Sequence, residues 1–252
     1  MTSKTVIVPV RNRDAVRAGA ENATEMTALQ AMASRMWRIF LVMGFMTVTA
    51  AFIIGIINGL NLGDFFSDPA SIRNADANHE NFGTVQAILV WLTPLTLLGV
   101  GFMLVGITQV LATILGNLRI AGANVQAAVG TQVEILRVPT TGKIFPMLMF
   151  SGLFVLLGAL GVGAWLGTVQ GSDVFSHTIA DIGGAEAGSD LLADQGTVAA
   201  VSAWLVPMSF FGMALLFSAI TLALGTIVTV LRFQAKRIVQ IAVESAEVAP
   251  AE

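Results

Sequence analysis

Few residues in this chain are of types that do acid–base or metal chemistry. His79 stands beside Glu80 and near Asp76, and His177 lies between Asp173 and Asp181. Imidazole with carboxylate is a donor set for a divalent transition metal, so a metal would be sought at these two places. The spacing argues against one: neither group follows an HExxH-like pattern, and the two histidines do not occupy matching positions in the chain. Both groups read as solvated acidic segments. The chain has no cysteine, which removes disulfides, thiolate nucleophiles and cysteine-held metals. It also lacks a GxxxxGK[ST] phosphate loop, a GxSxG nucleophile elbow, a calcium-loop spacing and a bis-histidine haem helix. The expectation is a protein that is no enzyme and holds no metal or cofactor.

The remaining polar chemistry is neutral and lies in four segments without Asp, Glu, Lys, Arg or His: 39–63, 83–118, 144–172 and 195–231. These hold Asn58, Asn61, Thr93, Thr96, Thr108, Gln109, Thr113, Ser209, Ser218, Thr221 and Thr226. Each segment exceeds the roughly 20 residues that cross a hydrocarbon core. Hydrophobic residues make up 55% of the chain and charged ones 12%, with a mean hydropathy of +0.80. The fold class expected is an all-α membrane protein with four transmembrane helices. Ionisable groups within spans mark proton and ion paths. None lies in these four, which argues against a proton-coupled transporter, a voltage sensor or a buried acid–base enzyme.

Charge distribution orients the spans. Six basic residues precede the first span (Lys4, Arg11, Arg13, Arg17, Arg35, Arg38), three lie between the second and third (Arg119, Arg137, Lys143), and three follow the fourth (Arg232, Lys236, Arg237). The two other connections share only Arg73 and carry nine acidic residues: Asp64, Asp68, Asp76, Glu80, Asp173, Asp181, Glu186, Asp190 and Asp194. By the positive-inside rule both termini and the central connection are cytoplasmic, and 64–82 and 173–194 form acidic outer loops. Arg35 and Arg38 beside Trp37, like Lys236 and Arg237, suit anchoring at the interface. The basic residues are too sparse for a nucleic-acid surface. Residues 1–38 hold no signal-peptide core, so the first span is expected to stay as a membrane anchor.

The spans are not four independent inventions. Residues 83–119 and 196–232 align without a gap at an offset of 113, with 15 of 37 positions identical, including Trp91/Trp204, Pro94/Pro207 and Arg119/Arg232. Ala51, Gly55, Gly59 and Gly63 match Ala159, Gly163, Gly167 and Gly171 at an offset of 108, and Asp64 and Phe66 match Asp173 and Phe175 at 109. The chain reads as a tandem duplication of helix, acidic outer loop and longer helix: repeat 1 over 39–119 and repeat 2 over 144–232. An even number of spans per unit gives both repeats the same orientation, hence a pseudo-twofold along the membrane normal.

Three features of the repeat are candidate sites. The Ala/Gly ladders repeat at i+4 and stack small residues along one face of the odd-numbered helices, a helix-packing surface. Pro94 and Pro207 lie inside the second and fourth spans, where loss of a backbone hydrogen bond kinks a helix; Pro146 is placed near the start of the third, where proline is tolerated. Thr108, Gln109, Thr113, Thr221 and Thr226 form a possible polar seam, although Ser and Thr commonly bond their own preceding carbonyl. Gln109 is the best single source of an interhelical bond, and its matched position is Leu222. The 36 residues of the second span correspond to about 54 Å of helix, against a core of about 30 Å, so the even-numbered helices project into the cytoplasm. Helical lead-ins are expected over 15–35 and after Arg232, a weaker helix over 120–136, and flexible ends at 1–13 and 248–252.

The function these readings favour is a non-catalytic membrane subunit, an accessory or scaffold protein packing within a homo-oligomer or a larger membrane complex. The alternative is a passive pore or small-solute channel formed by an oligomer. Its partners are the lipid bilayer, itself and other membrane subunits. A prokaryotic plasma (inner) membrane is the expected location.

Overall fold

The computed structural model describes residues 5–7, 28–73, 76–136 and 139–247. Nearly all of this is helix: α1 (Ala28–Ser67), α2 (Ala70–Arg73), α3 (Asp76–Val129), α4 (Thr140–Trp165), α5 (Gly171–Ser176), α6 (Ile179–Gly184) and α7 (Asp190–Glu247). A single π turn, Leu166–Gln170, joins α4 to α5. Two strands, β1 (Thr5–Ile7) and β2 (Glu134–Leu136), pair antiparallel with Val6 opposite Ile135. Four helical stretches are long and apolar enough to span a membrane, as a multi-pass integral membrane protein requires: Gln30–Ser67, Asn81–Val129, Thr140–Gln170 and Asp190–Val243.

The helices run past the apolar segments at both ends. Residues 64–82, expected as a loop, are mostly helical: α1 continues to Ser67, α2 follows Pro69, whose carbonyl accepts from Ile72 and Arg73 at 2.9 and 3.0 Å, and α3 starts at Asp76. Acidic side chains do not break a helix; the Asp68-Pro69 step is what ends α1. Pro146 is another departure, because α4 begins at Thr140 and the proline lies beyond its first turn. Of the expected lead-in, 28–35 is helical and 15–27 lies outside the described residues, as do most of 1–13 and all of 248–252.

The chain divides into two compact units. One comprises Met1–Ile39, Val105–Met149 and Phe217–Glu252. Here Leu115, Leu136, Ile227 and Val230 form a buried cluster flanked by Leu111, Leu118 and Phe233, while Ala123, Ala127, Val133 and Ile135 form a second. Gln234 donates to the Leu118 carbonyl and covers Gly122, fastening α7 to α3. Against the expected weaker helix over 120–136 and flexible 1–13, the helix stops at Val129 and Thr5–Ile7 is a strand. Gly130, at φ +84°, ends α3 with Gly130 N–H donating to Ala127 O (3.0 Å) and Thr131 N–H to Gln126 O (3.1 Å), a Schellman stop. The chain then turns back and Glu134–Leu136 pairs with Thr5–Ile7. Gly130→Ala should cost about 1–2 kcal/mol, since an L side chain is strained at positive φ. A lowered unfolding midpoint, with faster amide exchange at 134–136, would register it.

The other unit comprises Phe40–Leu104 and Phe150–Leu216. It contains the segments linking the first span to the second and the third to the fourth. α6 in this unit opens with a capping box, Thr178 Oγ1 accepting from Asp181 N–H at 3.1 Å and Asp181 Oδ2 accepting from Thr178 N–H at 2.9 Å. One of the carboxylates near His177 is therefore occupied in holding a helix start.

Candidate functional site

Within the second unit the helices meet at glycines. A Cβ built on Gly44 of α1 would fall 2.7 Å from the Gly99 carbonyl oxygen and 2.6 Å from Met103 Cγ of α3; one on Gly99 would fall 2.8 Å from Val48 Cγ2. The same arrangement joins α4 and α7. A Cβ on Gly152 would lie 2.8 Å from the Gly212 oxygen and 2.9 Å from Leu216 Cγ, and one on Gly212 would lie 2.9 Å from Leu156 Cγ. The backbones touch, which no other residue permits. Gly44 and Val48 stand 108 positions before Gly152 and Leu156, and Gly99 and Met103 stand 113 before Gly212 and Leu216. These four glycines lie outside the i+4 ladders, although the two offsets pair them.

The ladders themselves are not used alike. In the second, Ala159 is fully buried, a Cβ on Gly163 would sit 3.3 Å from Trp91 Cα, and one on Gly167 would sit 2.5 Å from the Ala87 oxygen, so α4 and the π turn press on α3. Gly171 faces its own segment instead, against the Phe175 ring and Leu166 O. In the first ladder Ala51 is buried and Gly55 reaches Leu92 Cδ2 at 3.5 Å, but Gly59 and Gly63 have nothing within 4 Å of a would-be Cβ. At an offset of 113, Ala87 and Trp91 match Ala200 and Trp204, and both of these are exposed on α7.

Pro94 and Pro207 both lie inside unbroken helices, Pro94 fully buried and Pro207 exposed. The polar seam residues belong to the first unit and do not share one face: Thr108, Gln109 and Thr226 are buried, Thr113 is half-buried and Thr221 is exposed. Most span hydroxyls bond their own helix, including Thr96 to Leu92 O, Thr113 to Gln109 O, Ser209 to Leu205 O and Thr221 to Phe217 O at 2.9–3.0 Å. Thr226 also meets Thr141 Oγ1 at 2.9 Å, a polar link between α7 and α4 that sequence reasoning missed. Gln109 Oε1 is buried without a partner.

A polar cleft of about 420 Å³ opens where α1 ends and α3 begins, lined by Asn58, Asn61, Asp64, Phe65, Asp68, Asn81, Phe82, Thr84, Val85 and Ile88. Asn58 is 2% exposed; its Nδ2 donates to Val85 O at 3.1 Å and its Oδ1 has no partner. Asn58 and Asn61 stand out in sequence as amides in an apolar span, but nothing local brings Asn81 and Thr84 to them. Of the histidines, His177 Nδ1 sits 2.8 Å from Asp173 O, and the side chain of His79 lies outside the described residues. Among the described residues no three His, Cys, Asp or Glu side chains gather as a metal site would need. No protein-family model, curated protein or solved structure matches this chain.

Proposed function

We propose that this chain is a non-catalytic subunit of a plasma membrane of prokaryotic type, both termini cytoplasmic, that builds a scaffold by assembling with copies of itself. The charge distribution supports the orientation. The two Gly–Gly crossings at offsets of 108 and 113 support the tandem duplication, since four matched positions carry one contact geometry twice.

The observation carrying the reading is that a duplicated contact is used once. Gly163 and Gly167 pack on Trp91 and Ala87; of their counterparts, Gly55 meets only Leu92 Cδ2, at 3.5 Å, and Gly59 is open, while the counterpart surface at Ala200 and Trp204 is exposed. A stripe and a receiving surface, left on one chain with the same residue types that already fit each other, suit a head-to-tail contact in which α1 of one copy seats on α7 of the next. Such a heterologous contact closes into a ring or extends as a row. Span hydroxyls bonded to their own helices favour assembly over a hydroxyl-lined pore.

Because the chain has no cysteine, cross-linking tests this directly. Gly59→Cys combined with Ala200→Cys should give a series of disulfide-linked multimers in membranes, and each single variant should give at most dimers. Gly59→Leu should lower the native mass to that of a monomer without moving the unfolding midpoint. A wild type that is monomeric in lipid nanodiscs, or a Gly59→Leu variant of unchanged mass, would defeat the self-assembly reading.

A further inference from the structure

We infer that the cleft at the end of α1 binds an organic ammonium group joined to an apolar body. Three observations lead there. The first is a missing donor. The Asn58 amide is oriented by its bond to Val85 O, because the opposite orientation would set two acceptors against each other, and this leaves Oδ1 as a buried acceptor without a partner. A buried acceptor left unmet carries a desolvation cost that a ligand N–H would remove. The second is charge: the cleft is also lined by the exposed carboxylates of Asp64 and Asp68, which only accept. The donor that completes this set is cationic.

The third observation separates an organic cation from a bare metal ion. About 420 Å³ lies in the size range of small-molecule pockets and far exceeds an ion. One wall is apolar, with Val85, Ile88 and the rings of Phe65 and Phe82, which stack at 4.4 Å between centroids. Aromatic faces attract ammonium groups, and the aliphatic wall accommodates a chain or ring attached to one. The other half of the molecule has lost this set. At 108 positions on, Asn58 and Asn61 become Leu166 and Val169, and at 113 on, Asn81 becomes Asp194, which accepts a hydrogen bond from Gln170. Among the described residues the set thus occurs once.

The ammonium can come from the headgroup of an aminophospholipid or from a soluble amine, and two probes distinguish them. Native mass spectrometry of protein from phosphatidylethanolamine/phosphatidylglycerol nanodiscs reads retained lipid, and calorimetric titration with 2-phenylethylammonium reads the soluble source. Wild type is expected to hold at least one probe, and Asp64→Asn with Asp68→Asn to weaken it about tenfold or more. Asn58→Leu, which copies the Leu166 position, is expected to act likewise; the exposed aspartates keep the test valid if that variant folds poorly. Retention of lipid alone assigns the headgroup and binding of the amine alone assigns a soluble ligand, either supporting the site. Failure of wild type to bind either probe, or binding within about twofold in the double aspartate variant, overturns it.

Discussion

Gly152→Val should be among the most damaging single changes in the chain, lowering stability by about 3 kcal/mol or more. The reason is what the new side chain would strike. Overpacking commonly costs about 1–3 kcal/mol because neighbouring side chains turn aside. At Gly152 the first obstacle is the Gly212 carbonyl oxygen at 2.8 Å, followed by Leu216 Cγ at 2.9 Å and Leu215 Cβ at 3.1 Å. A backbone oxygen within a helix cannot rotate away, so α4 and α7 must separate along the crossing. Gly44→Val meets Gly99 O at 2.7 Å and should behave the same way between α1 and α3. Thermal unfolding in mild detergent should show midpoints lower by about 6–12 °C for either variant. Gly161→Val, with nothing within 4 Å of its Cβ, is the control and should leave the midpoint in place. Equal midpoints for all three would mean that the crossings do not hold the helices together.

Gln126→Ala should cost about 3 kcal/mol, concentrated at β2. Gln126 is buried, and its side-chain amide makes a two-point contact with one residue: Oε1 accepts from Glu134 N–H at 2.8 Å and Nε2 donates to Glu134 O at 3.0 Å. It stands in for a neighbouring strand. Truncation strips both partners from a main-chain donor and acceptor, at about 1–3 kcal/mol for each group left dry. Ile135 and Leu136, which β2 delivers into the two apolar clusters, would lose their position with it. Hydrogen exchange should quicken at Glu134–Leu136 and at their partners Thr5–Ile7, with the span helices unchanged. Gln126→Glu should follow, since a carboxylate turned toward Glu134 O repels it. Unaltered protection in both variants would show that the strand pair stands without this clamp.

What was legible in the sequence followed the range of the forces involved. Exclusion of charge from four long segments is a property of each segment alone, so the four spans could be read directly, as could the prolines within them. Their ends could not, because hydropathy falls at Gly63 and Gly83 while helix propensity does not, and α1 and α3 continue through acidic residues. The close approaches at Gly44, Gly99, Gly152 and Gly212 use one glycine from each helix, so no i+4 pattern within a helix announces them. Gly59 and Gly63 have the pattern without a neighbour. Gln126 and Gln234 look like ordinary polar residues of a helix end, and only the turn at Gly130 and the return of α7 give them their targets. The cleft was half legible: Asn58 is conspicuous in an apolar span, whereas Asn81 and Thr84 reach it through the turn at Pro69.

The π turn at Leu166–Gln170 has an angular consequence. An α-helix advances roughly 100° per residue, so an extra residue taken up in one turn throws everything after it out of phase by about that amount. Gly163 and Gly167 lie on the line that meets α3; Gly171, four residues further by count, is past the widened turn and points at Phe175 instead. The sequence offset steps only beyond this turn, from 108 at Gly63/Gly171 to 109 at Asp64/Asp173, where Ser172 is the added residue. The widened turn thus swings the far end of the third span about a quarter turn away from the line of Gly163 and Gly167, like a key turned in its lock. The face of small residues that meets α3 therefore ends at this turn, and the segment carrying Asp173 and His177 starts from another side of the span.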